Sequence, residues 1–266
     1  MSDHYAVMGN PVAHSLSPVI HQLFAAQTGS SLIYEKILID ESRFEQQVHD
    51  FFSTGGKGLN ITLPCKQRAF ALAEEVSARC LQAKAANTLW MQAGKLCADN
   101  TDGVGLLRDL ARHLTLAGKH ILLLGAGGAA RGVIVALLAA NPAQLTIANR
   151  TLEKARNLQQ DYPQTVSCDF AKLAGDYDLI INATAASFAA QIDFPESMLA
   201  SQPFCYDLAY QLNNNTSFVA WVLQRGCKAV DGLGMLVEQA AEAFFIWHGV
   251  MVDPAPVLAY LHAGVR

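Results

Sequence analysis

Short apolar runs alternate with stretches of helical periodicity along the whole chain. In the first hundred residues, apolar runs predict strands at 5–8, 32–39, 58–62 and 87–91. Between them, apolar positions recurring every three to four residues predict helices at 18–27, 43–53 and 66–73. Because strands separated by helices form parallel sheets, this half of the chain is predicted to be a mostly parallel α/β sheet.

A second pattern begins after a helix predicted from Asp102 to about Leu114. Residues 120–124 are all apolar except the first, as in a strand covered on both faces. A glycine-rich turn, an alanine-rich helix and strands at 144–148, 178–183 and 204–209 follow. We therefore predict a boundary near Thr101, with a nucleotide-binding half after it. Two closing helices, at 235–248 and 254–263, are predicted to pack back on the first half.

Composition narrows the classes of protein. Of 266 residues, 52% are hydrophobic and 16% charged, which is typical of a compact globular enzyme rather than a disordered chain. A net charge of −4 argues against nucleic acid as a partner. The chain contains neither an apolar run long enough for a membrane span nor a signal-peptide pattern. Six cysteines without a C-x-x-C pair predict free thiols, no metal site and a cytoplasmic location.

The glycine-rich turn is a candidate dinucleotide site. It follows a strand and opens a helix, with the sequence Gly125-Ala126-Gly127-Gly128-Ala129. Glycine lets the backbone approach a pyrophosphate, and the helix N-terminus offers free N–H groups to the anion. The alternative is a turn that needs glycine only for packing a helix on a strand.

The next strand ends in residues that indicate which cofactor binds. NAD-dependent proteins usually have an acidic residue here, which binds the ribose 2′-hydroxyl. This chain has Asn149, Arg150 and Thr151, with Lys154 one helical turn later. A guanidinium can bind a 2′-phosphate that a carboxylate would repel, so NADP is favoured. The alternative is a solvated, basic helix start.

Candidate substrate residues occur at strand–helix junctions in the first half. Ser15 and Ser17 precede a helix, and two hydroxyls there could bind a carboxylate. Taken alone, Ser17 as helix N-cap and Pro18 as first helical residue is a complete structural account. Further polar groups, each also explicable as a cap, turn or surface residue, are Thr62, Lys66, Asn87, Thr88, Asn100, Thr101 and Asp102.

Taken together, the motifs resemble the shikimate dehydrogenase family, which includes shikimate/quinate dehydrogenases. The matching segments are Asn10-Pro11-x-x-His14-Ser15-x-Ser17-Pro18, Asn60-x-Thr62-x-Pro64-x-Lys66, Asn87-Thr88, Asn100-Thr101-Asp102, Gly125-x-Gly127-Gly128-Ala129-x-Arg131, Asn149-Arg150-Thr151, Tyr206-Asp207-x-x-Tyr210 and Gly234-Met235-Leu236-x-x-Gln239. They are collinear from about residue 5 to 245.

The resemblance implies an α/β fold with a cleft between two domains. Residues 1–101 would be the substrate-binding and catalytic domain, 102–234 a Rossmann-type, doubly wound NADP-binding domain, and 235–266 helices that pack back on the first. Lys66 and Asp102 would be the catalytic pair. The carboxylate and hydroxyls of the substrate would be bound by Ser15, Ser17, Thr62, Lys66, Asn87, Asp102, Tyr210 and Gln239. Cofactor contacts would also come from Thr184 and Gly232. The implied reaction is NADPH-dependent reduction of 3-dehydroshikimate to shikimate by a cytoplasmic monomer or homodimer.

Some positions depart from the family pattern. Lys84 and Ala98 replace glycines, residues 185–187 lack the usual serine and glycine after Thr184, and the usual proline after Tyr210 is absent. Three rival hypotheses stay open: a relative that acts on quinate or an amino-substituted analogue, a generic dehydrogenase for another acidic substrate, and a non-catalytic NADP sensor. The presence of both Lys66 and Asp102 argues against the sensor.

Overall fold

A computed structural model describes residues 2–173, 175–188 and 192–264. The chain divides into two compact units. One combines Met1–Gly105 with Leu236–Ala263, and the other contains Leu106–Met235. The chain passes from one unit to the other after Gly105 and after Met235, and both points lie inside helices, a few residues from the predicted boundaries. Within the described residues, no helix is both long and apolar enough to cross a membrane.

The first unit is built around a six-stranded sheet in the order β2-β1-β3-β5-β6-β4. Its strands are β1 (Asp3–Gly9), β2 (Leu32–Leu38), β3 (Gly58–Ile61), β4 (Glu75–Val76), β5 (Thr88–Gln92) and β6 (Lys95–Asp99). Its helices are α1 (Ser17–Thr28), α2 (Phe44–Ser53), α3 (Lys66–Leu72), α4 (Ala78–Ala83) and the start of α5 (Asp102–Leu110), and it is completed by most of α9 (Leu233–His248) and by α10 (Pro254–His262).

The predicted strands and helices of this unit are present, but the sheet is more mixed than predicted. β5 is antiparallel to both β3 and β6. The chain turns between β5 and β6 at Ala93 and Gly94, both of which have positive φ angles (50° and 81°). Two consecutive positive φ angles are typical of a type I′ hairpin turn. β6 was not predicted, because alanine is unusual at a turn position with positive φ and gave no sign of a hairpin.

Alternate residues of β1 enter two different hydrophobic layers. Ala6 and Met8 pack with the aromatic side chains of α2, whereas Tyr5 and Val7 pack on the opposite face with Trp247 of α9. Trp247 lies so close to Gly58 that a Cβ there would come within 2.4 Å of the indole ring, and its Nε1 donates to Leu89 O at 3.2 Å. The returning helix α9 thus covers one face of this sheet.

The second unit is a fully parallel sheet in the order β12-β11-β10-β7-β8-β9. The strands are β7 (His120–Leu124), β8 (Gln144–Asn149), β9 (Thr165–Asp169), β10 (Leu179–Asn182), β11 (Phe204–Asp207) and β12 (Ala229–Val230). The helices are α6 (Gly128–Ala139), α7 (Leu152–Asp161) and α8 (Ser217–Leu223). Ile121 and Leu123 enter one buried layer and Leu122 and Leu124 the other, so β7 is covered on both faces as its apolar run predicted.

Two departures from the family pattern have structural consequences. Lys84 ends α4 in the left-handed conformation, at φ 50° and ψ 35°. Glycine adopts this conformation without the steric cost of a Cβ, which explains why a glycine is usual there. Ala98 is completely buried on β6, and its methyl group belongs to the hydrophobic core.

The helix predicted from Asp102 to about Leu114 is shorter than expected. Helix α5 ends at Leu110, and the backbone then tightens into turns in which Arg112 N donates to Asp109 O and His113 N to Leu110 O. Arg112 also forms an ion pair with Asp109 at 2.6 Å. The apolar periodicity continues to Leu114, beyond the last helical residue, so the C-terminal end of the helix was predicted too late.

Candidate active site

Four polar loops of the first unit meet at one edge of its sheet. β1 and β3 end there and β5 begins there, because β5 runs antiparallel to β3. Asn10 N donates to Leu63 O at 2.8 Å, which joins the loops after β1 and β3. Asn87 N donates to Asp99 O at 3.0 Å, which joins the segment before β5 to the end of β6. This edge brings together the predicted residues of the first unit.

Lys66 and Asp102 form an ion pair at this edge. Lys66 Nζ lies 2.6 Å from Asp102 Oδ2, and the two side chains are only 13% and 7% exposed. Each is the first residue of its helix, Lys66 of α3 and Asp102 of α5. A carboxylate at a helix N-terminus is favoured by the helix dipole. The structure therefore places a proton donor beside a carboxylate, with little solvent around either.

Asn87 connects the ion pair to two further side chains. Its Nδ2 donates to Asp102 Oδ1 at 2.9 Å and to Thr101 Oγ1 at 2.9 Å, and lies 3.3 Å from Gln239 Oε1. Its Oδ1 accepts from Thr101 N at 2.9 Å. Thr101, a candidate polar group to which the sequence assigned no role, is fully buried between Asn87 and Gln239. Asn87, Asp102 and Gln239 are thus preorganised in one network.

The two predicted serines lie at the start of α1, but the predicted cap is wrong. Leu16, not Ser17, occupies the N-cap position, and its apolar side chain makes no capping hydrogen bond. Leu16 already has a helical conformation (φ −90°, ψ −5°), so Ser17 falls inside the first turn. Its hydroxyl instead lies 3.2 Å from that of Ser15, which is the donor. The Ser17 hydroxyl therefore caps nothing, whereas Ser15 Oγ accepts from Ser17 N, the first N–H group of the helix, at 3.3 Å.

Thr62 and Tyr210 complete the set of predicted substrate residues. Thr62 follows β3, and its methyl carbon would lie 2.2 Å from a Cβ at Gly9, so the loop requires glycine at that position. Tyr210 is half-buried shortly after β11 and belongs to the second unit. Seven of the eight predicted substrate residues therefore lie in the first unit, and four of them, Lys66, Asn87, Asp102 and Gln239, form one hydrogen-bonded network.

The glycine-rich turn of the second unit is built as predicted. Gly125 has a φ of 106°, and a Cβ there would come within 2.9 Å of Ala183 O. Gly127 is the N-cap of α6 and offers no side chain to the first N–H groups of the helix. A Cβ at Gly127 or Gly128 would meet nothing within 4 Å, so the space beyond the turn is open. These features suit the close approach of a pyrophosphate.

The residues after β8 form an exposed cationic surface. Arg150, Thr151 and Lys154 are exposed, while the half-buried Asn149 donates to Thr151 O at 2.9 Å. Thr151 is the N-cap of α7, yet its hydroxyl does not cap the helix. Within residues 2–173, 175–188 and 192–264, Arg150 has no ion-pair partner. Its guanidinium and the N-terminus of α7 can both bind an anion.

The two remaining predicted cofactor residues follow the two strands that flank β11. Thr184 follows β10, and its methyl carbon would lie 3.1 Å from a Cβ at Gly125. Gly232 follows β12, and a Cβ there would come within 2.4 Å of Leu208 O. The sequence analysis quoted Asp207 in a motif without assigning it a role. The buried Asp207 carboxylate lies between the loop of Thr184 and the turn at Gly232.

Comparison with known families follows the same division of the chain. Residues 7–89 match a model described as the shikimate dehydrogenase substrate binding domain. Residues 109–202 match shikimate / quinate 5-dehydrogenase, and residues 232–259 match the shikimate 5'-dehydrogenase C-terminal domain. A shikimate dehydrogenase (NADP(+)) from Legionella pneumophila (strain Lens) is 59% identical over 264 residues, covering 99% of this chain and 100% of the relative.

Solved structures agree with the sequence comparison. An Ael1 enzyme from Pseudomonas putida has a TM-score of 0.89 and 42% identity, with 98% of both chains covered. Shikimate 5-dehydrogenase from Thermus thermophilus, solved in complex with NADP(H) and shikimate, has a TM-score of 0.88 and 30% identity, covering 99% of this chain and 100% of that one. This chain belongs to the shikimate dehydrogenase family.

Proposed function

We propose that this protein catalyses the reversible, NADPH-dependent reduction of 3-dehydroshikimate to shikimate, a step toward chorismate and the aromatic amino acids. The observation that carries the proposal is the shielded ion pair between Lys66 and Asp102, held by Asn87 among hydroxyl and amide side chains. We assign substrate binding and proton transfer to the first unit and NADP binding to the second.

The second unit has the features that NADP needs. The open turn at Gly127 and Gly128 suits the pyrophosphate, and Arg150 with Lys154 suits the 2′-phosphate. Asn149 stands where a carboxylate would favour NAD. When bound, the cofactor supplies the hydride, and the residues of this chain bind and orient both ligands.

Lys66 is the proposed proton-transfer group. A ketone oxygen gains negative charge as its carbon accepts a hydride, so a proton must reach that oxygen as the bond forms. The Lys66 ammonium can donate it, and the neutral amine can accept a hydroxyl proton in the reverse direction. Asp102 holds the lysine side chain 2.6 Å away, while its other carboxylate oxygen accepts from Asn87. Asp102 therefore orients Lys66 and has a remaining lone pair for a substrate hydroxyl.

The substrate carboxylate is assigned to Ser15 and Ser17, and the ring hydroxyls to Thr62, Asn87, Tyr210 and Gln239. Both serine hydroxyls lie at a helix N-terminus, where an anion is favoured, and the Ser17 hydroxyl has no capping role. A quinate-oxidising relative is the alternative, since the matched family model names both substrates. A panel of shikimate, quinate and other hydroxy acids, each with NADP and NAD, discriminates between them.

Free thiols support the proposed cytoplasmic location. All six cysteines are unpaired, and five of them are buried. Burial raises the pKa of the Cys80 thiol to about 12, which keeps it protonated and unreactive. We expect a monomer or a homodimer, which sedimentation can distinguish.

The test of the proposed mechanism is Lys66→Ala with Lys57→Ala as matched control. Lys57 is an exposed lysine of the same unit, next to β3. We expect Lys66→Ala to lower kcat by about 10²–10⁴-fold, the usual effect of removing a general acid. KM for shikimate should change much less, because the lost interaction is made in the transition state. Near-normal turnover with weakened shikimate binding would show that Lys66 only binds substrate.

A further inference from the structure

The carboxylate of Asp207 is the most heavily bonded buried acid of the second unit. Asp207 ends β11 and is fully buried. Its Oδ1 accepts from Ser187 Oγ at 2.8 Å, from Ala209 N at 3.1 Å and from Asn182 Nδ2 at 3.2 Å. Its Oδ2 accepts from Thr216 Oγ1 at 2.6 Å. Within the described part of the chain it has no ion pair with lysine or arginine.

A carboxylate can only accept, and this determines the orientation of Asn182. The Asn182 amide must turn its Nδ2 toward Asp207 and Ser187. Its Oδ1 then faces Thr184 and accepts from the Thr184 hydroxyl at 2.7 Å and from the Thr184 N–H at 3.1 Å. The Thr184 oxygen in turn accepts from Ala186 N at 3.1 Å. Through Asn182, Asp207 thus determines which way Thr184 presents its hydroxyl.

The same carboxylate also holds the segment before Tyr210. Oδ1 accepts from the backbone N–H of Ala209, the residue directly before Tyr210. Gly232, another proposed cofactor residue, packs against the Asp207 and Leu208 carbonyl groups and donates its N–H to Ala209 O at 2.9 Å. One buried acid therefore connects the loop of Thr184, the loop of Tyr210 and the turn at Gly232.

Ser187 explains how this loop tolerates its departure from the family pattern. The usual serine and glycine after Thr184 are absent, but the Ser187 hydroxyl is fully buried against Asp207 and Asn182. Its single proton belongs to the Asp207 bond, because the alternative acceptor, Thr184 O, is neutral and farther away at 3.2 Å. Ser187 therefore supplies a donor that holds the loop against the end of β11.

We propose that Asp207 is a positioning residue for catalysis, whose carboxylate holds the loops of Thr184 and Tyr210 in the geometry that binds NADP and substrate. This inference rests on the proposed function, because it takes Thr184 and Tyr210 as ligand contacts. A purely structural role would be limited to the bond with Thr216, whose oxygen caps α8 by accepting from Val219 N at 3.2 Å.

The test compares Asp207→Asn with Asp178→Asn. Asp178 is the matched control, because it precedes β10 at the opposite end of the sheet and also accepts from a backbone N–H, that of His120, at 2.9 Å. NADPH affinity is measured by nucleotide fluorescence and turnover by steady-state kinetics. For Asp207→Asn we expect the Kd of NADPH to rise about tenfold and kcat/KM for shikimate to fall about 10–100-fold. Asp178→Asn should stay within about twofold of the unmodified protein.

Two milder variants separate positioning from folding if Asp207→Asn does not fold. Ser187→Ala removes a donor from the Thr184 loop and should raise the Kd of NADPH about threefold. Thr216→Val removes the cap of α8 and the donor to Oδ2 but leaves the three bonds to Oδ1, so it should lower Tm without changing that Kd. A folded Asp207→Asn, or Ser187→Ala, with unchanged NADPH affinity and turnover overturns the inference but not the function. Failure of the unmodified protein to bind NADPH overturns both.

Discussion

Arg150 and Asp207 carry opposite charges in opposite surroundings. The Arg150 guanidinium is exposed, and the Asp207 carboxylate is fully buried. Neither has an ion-pair partner among the residues that the structure describes. An exposed cation without a partner can bind a ligand phosphate, whereas a buried anion must be stabilised by hydrogen bonds or by a proton.

Arg150→Ala tests the assignment of the 2′-phosphate. Loss of a charge-assisted contact of about 1.5–3 kcal/mol should raise KM for NADP roughly ten- to more than a hundredfold. KM for NAD, which lacks the phosphate, should change little. Arg156→Ala is the control, because Arg156 is an exposed arginine on α7, the helix that begins just after Arg150. Equal use of both cofactors by the unmodified protein would contradict the assignment.

The raised pKa of the buried Asp207 carboxyl should make the stability of the protein depend on pH. Burial raises the pKa of its carboxyl from 3.8 to about 6, despite the four hydrogen bonds that favour the charged form. The folded state therefore holds the proton more tightly than the unfolded state. The stabilising contribution is complete below about pH 4 and is lost as pH rises through about 6, a change on the order of 2–3 kcal/mol. Urea unfolding of the unmodified protein and of Asp207→Asn at pH 4–7.5 measures it. A difference between the two that does not vary with pH would contradict the raised pKa.

At the scale of single elements, the start of α1 separates ligand binding from helix capping. Ser15→Ala with Ser17→Ala should strongly weaken shikimate binding and leave NADP binding near normal. The free energy of unfolding should fall by only about 0.5 kcal/mol, because Ser17 Oγ caps nothing and Ser15 Oγ accepts a single N–H, that of Ser17, at 3.3 Å. Ser77→Ala provides the contrast. Ser77 Oγ accepts from Cys80 N at the start of α4, so its loss should cost about 1 kcal/mol. Intact shikimate binding by the double variant would remove both serines from the site.

Sequence patterns predicted most elements but not their local exceptions. The apolar run of β7 indicates a strand buried on both faces, and the glycines after it indicate a tight turn into a helix. Both elements are present as expected. The β5–β6 hairpin was missed because Ala93 occupies a positive-φ position that usually signals itself by asparagine or glycine. Ser17 was assigned as a cap because residue type alone does not show where the preceding backbone becomes helical.

The site could be predicted residue by residue but not as a network. Motifs indicated Lys66, Asn87 and Asp102 separately, and the antiparallel β5 that brings them together was not predicted as antiparallel. The role of Asp207 depends on the nearby N–H of Ala209 together with donors 9 to 25 residues away, and no local pattern contains the latter. Long-range hydrogen bonds of this kind follow from the fold.

At the scale of the whole molecule, α9 should be essential to the first unit although it comes near the end of the sequence. Phe244 is fully buried against His21 and Phe24, while its neighbour Phe245 is 40% exposed. Phe244→Ala should destabilise the protein by about 3–5 kcal/mol, the usual cost of removing a buried aromatic side chain. Phe245→Ala should cost less than about 1 kcal/mol. Urea unfolding followed by tryptophan fluorescence measures both, and equal losses would contradict this packing.

The discontinuous first unit has a consequence for the order of events on the ribosome. Met1–Gly105 is synthesised first, but the sheet face at Gly58 lacks Trp247 until the chain has grown by more than 180 residues beyond Gly58. At typical rates of protein synthesis, about 5–20 residues per second, that interval is on the order of 10–40 seconds. Leu106–Met235, which is continuous, can complete its own sheet during this time. The nascent chain thus exposes the apolar strands of its earliest segment the longest, and this segment is where we expect chaperones to bind.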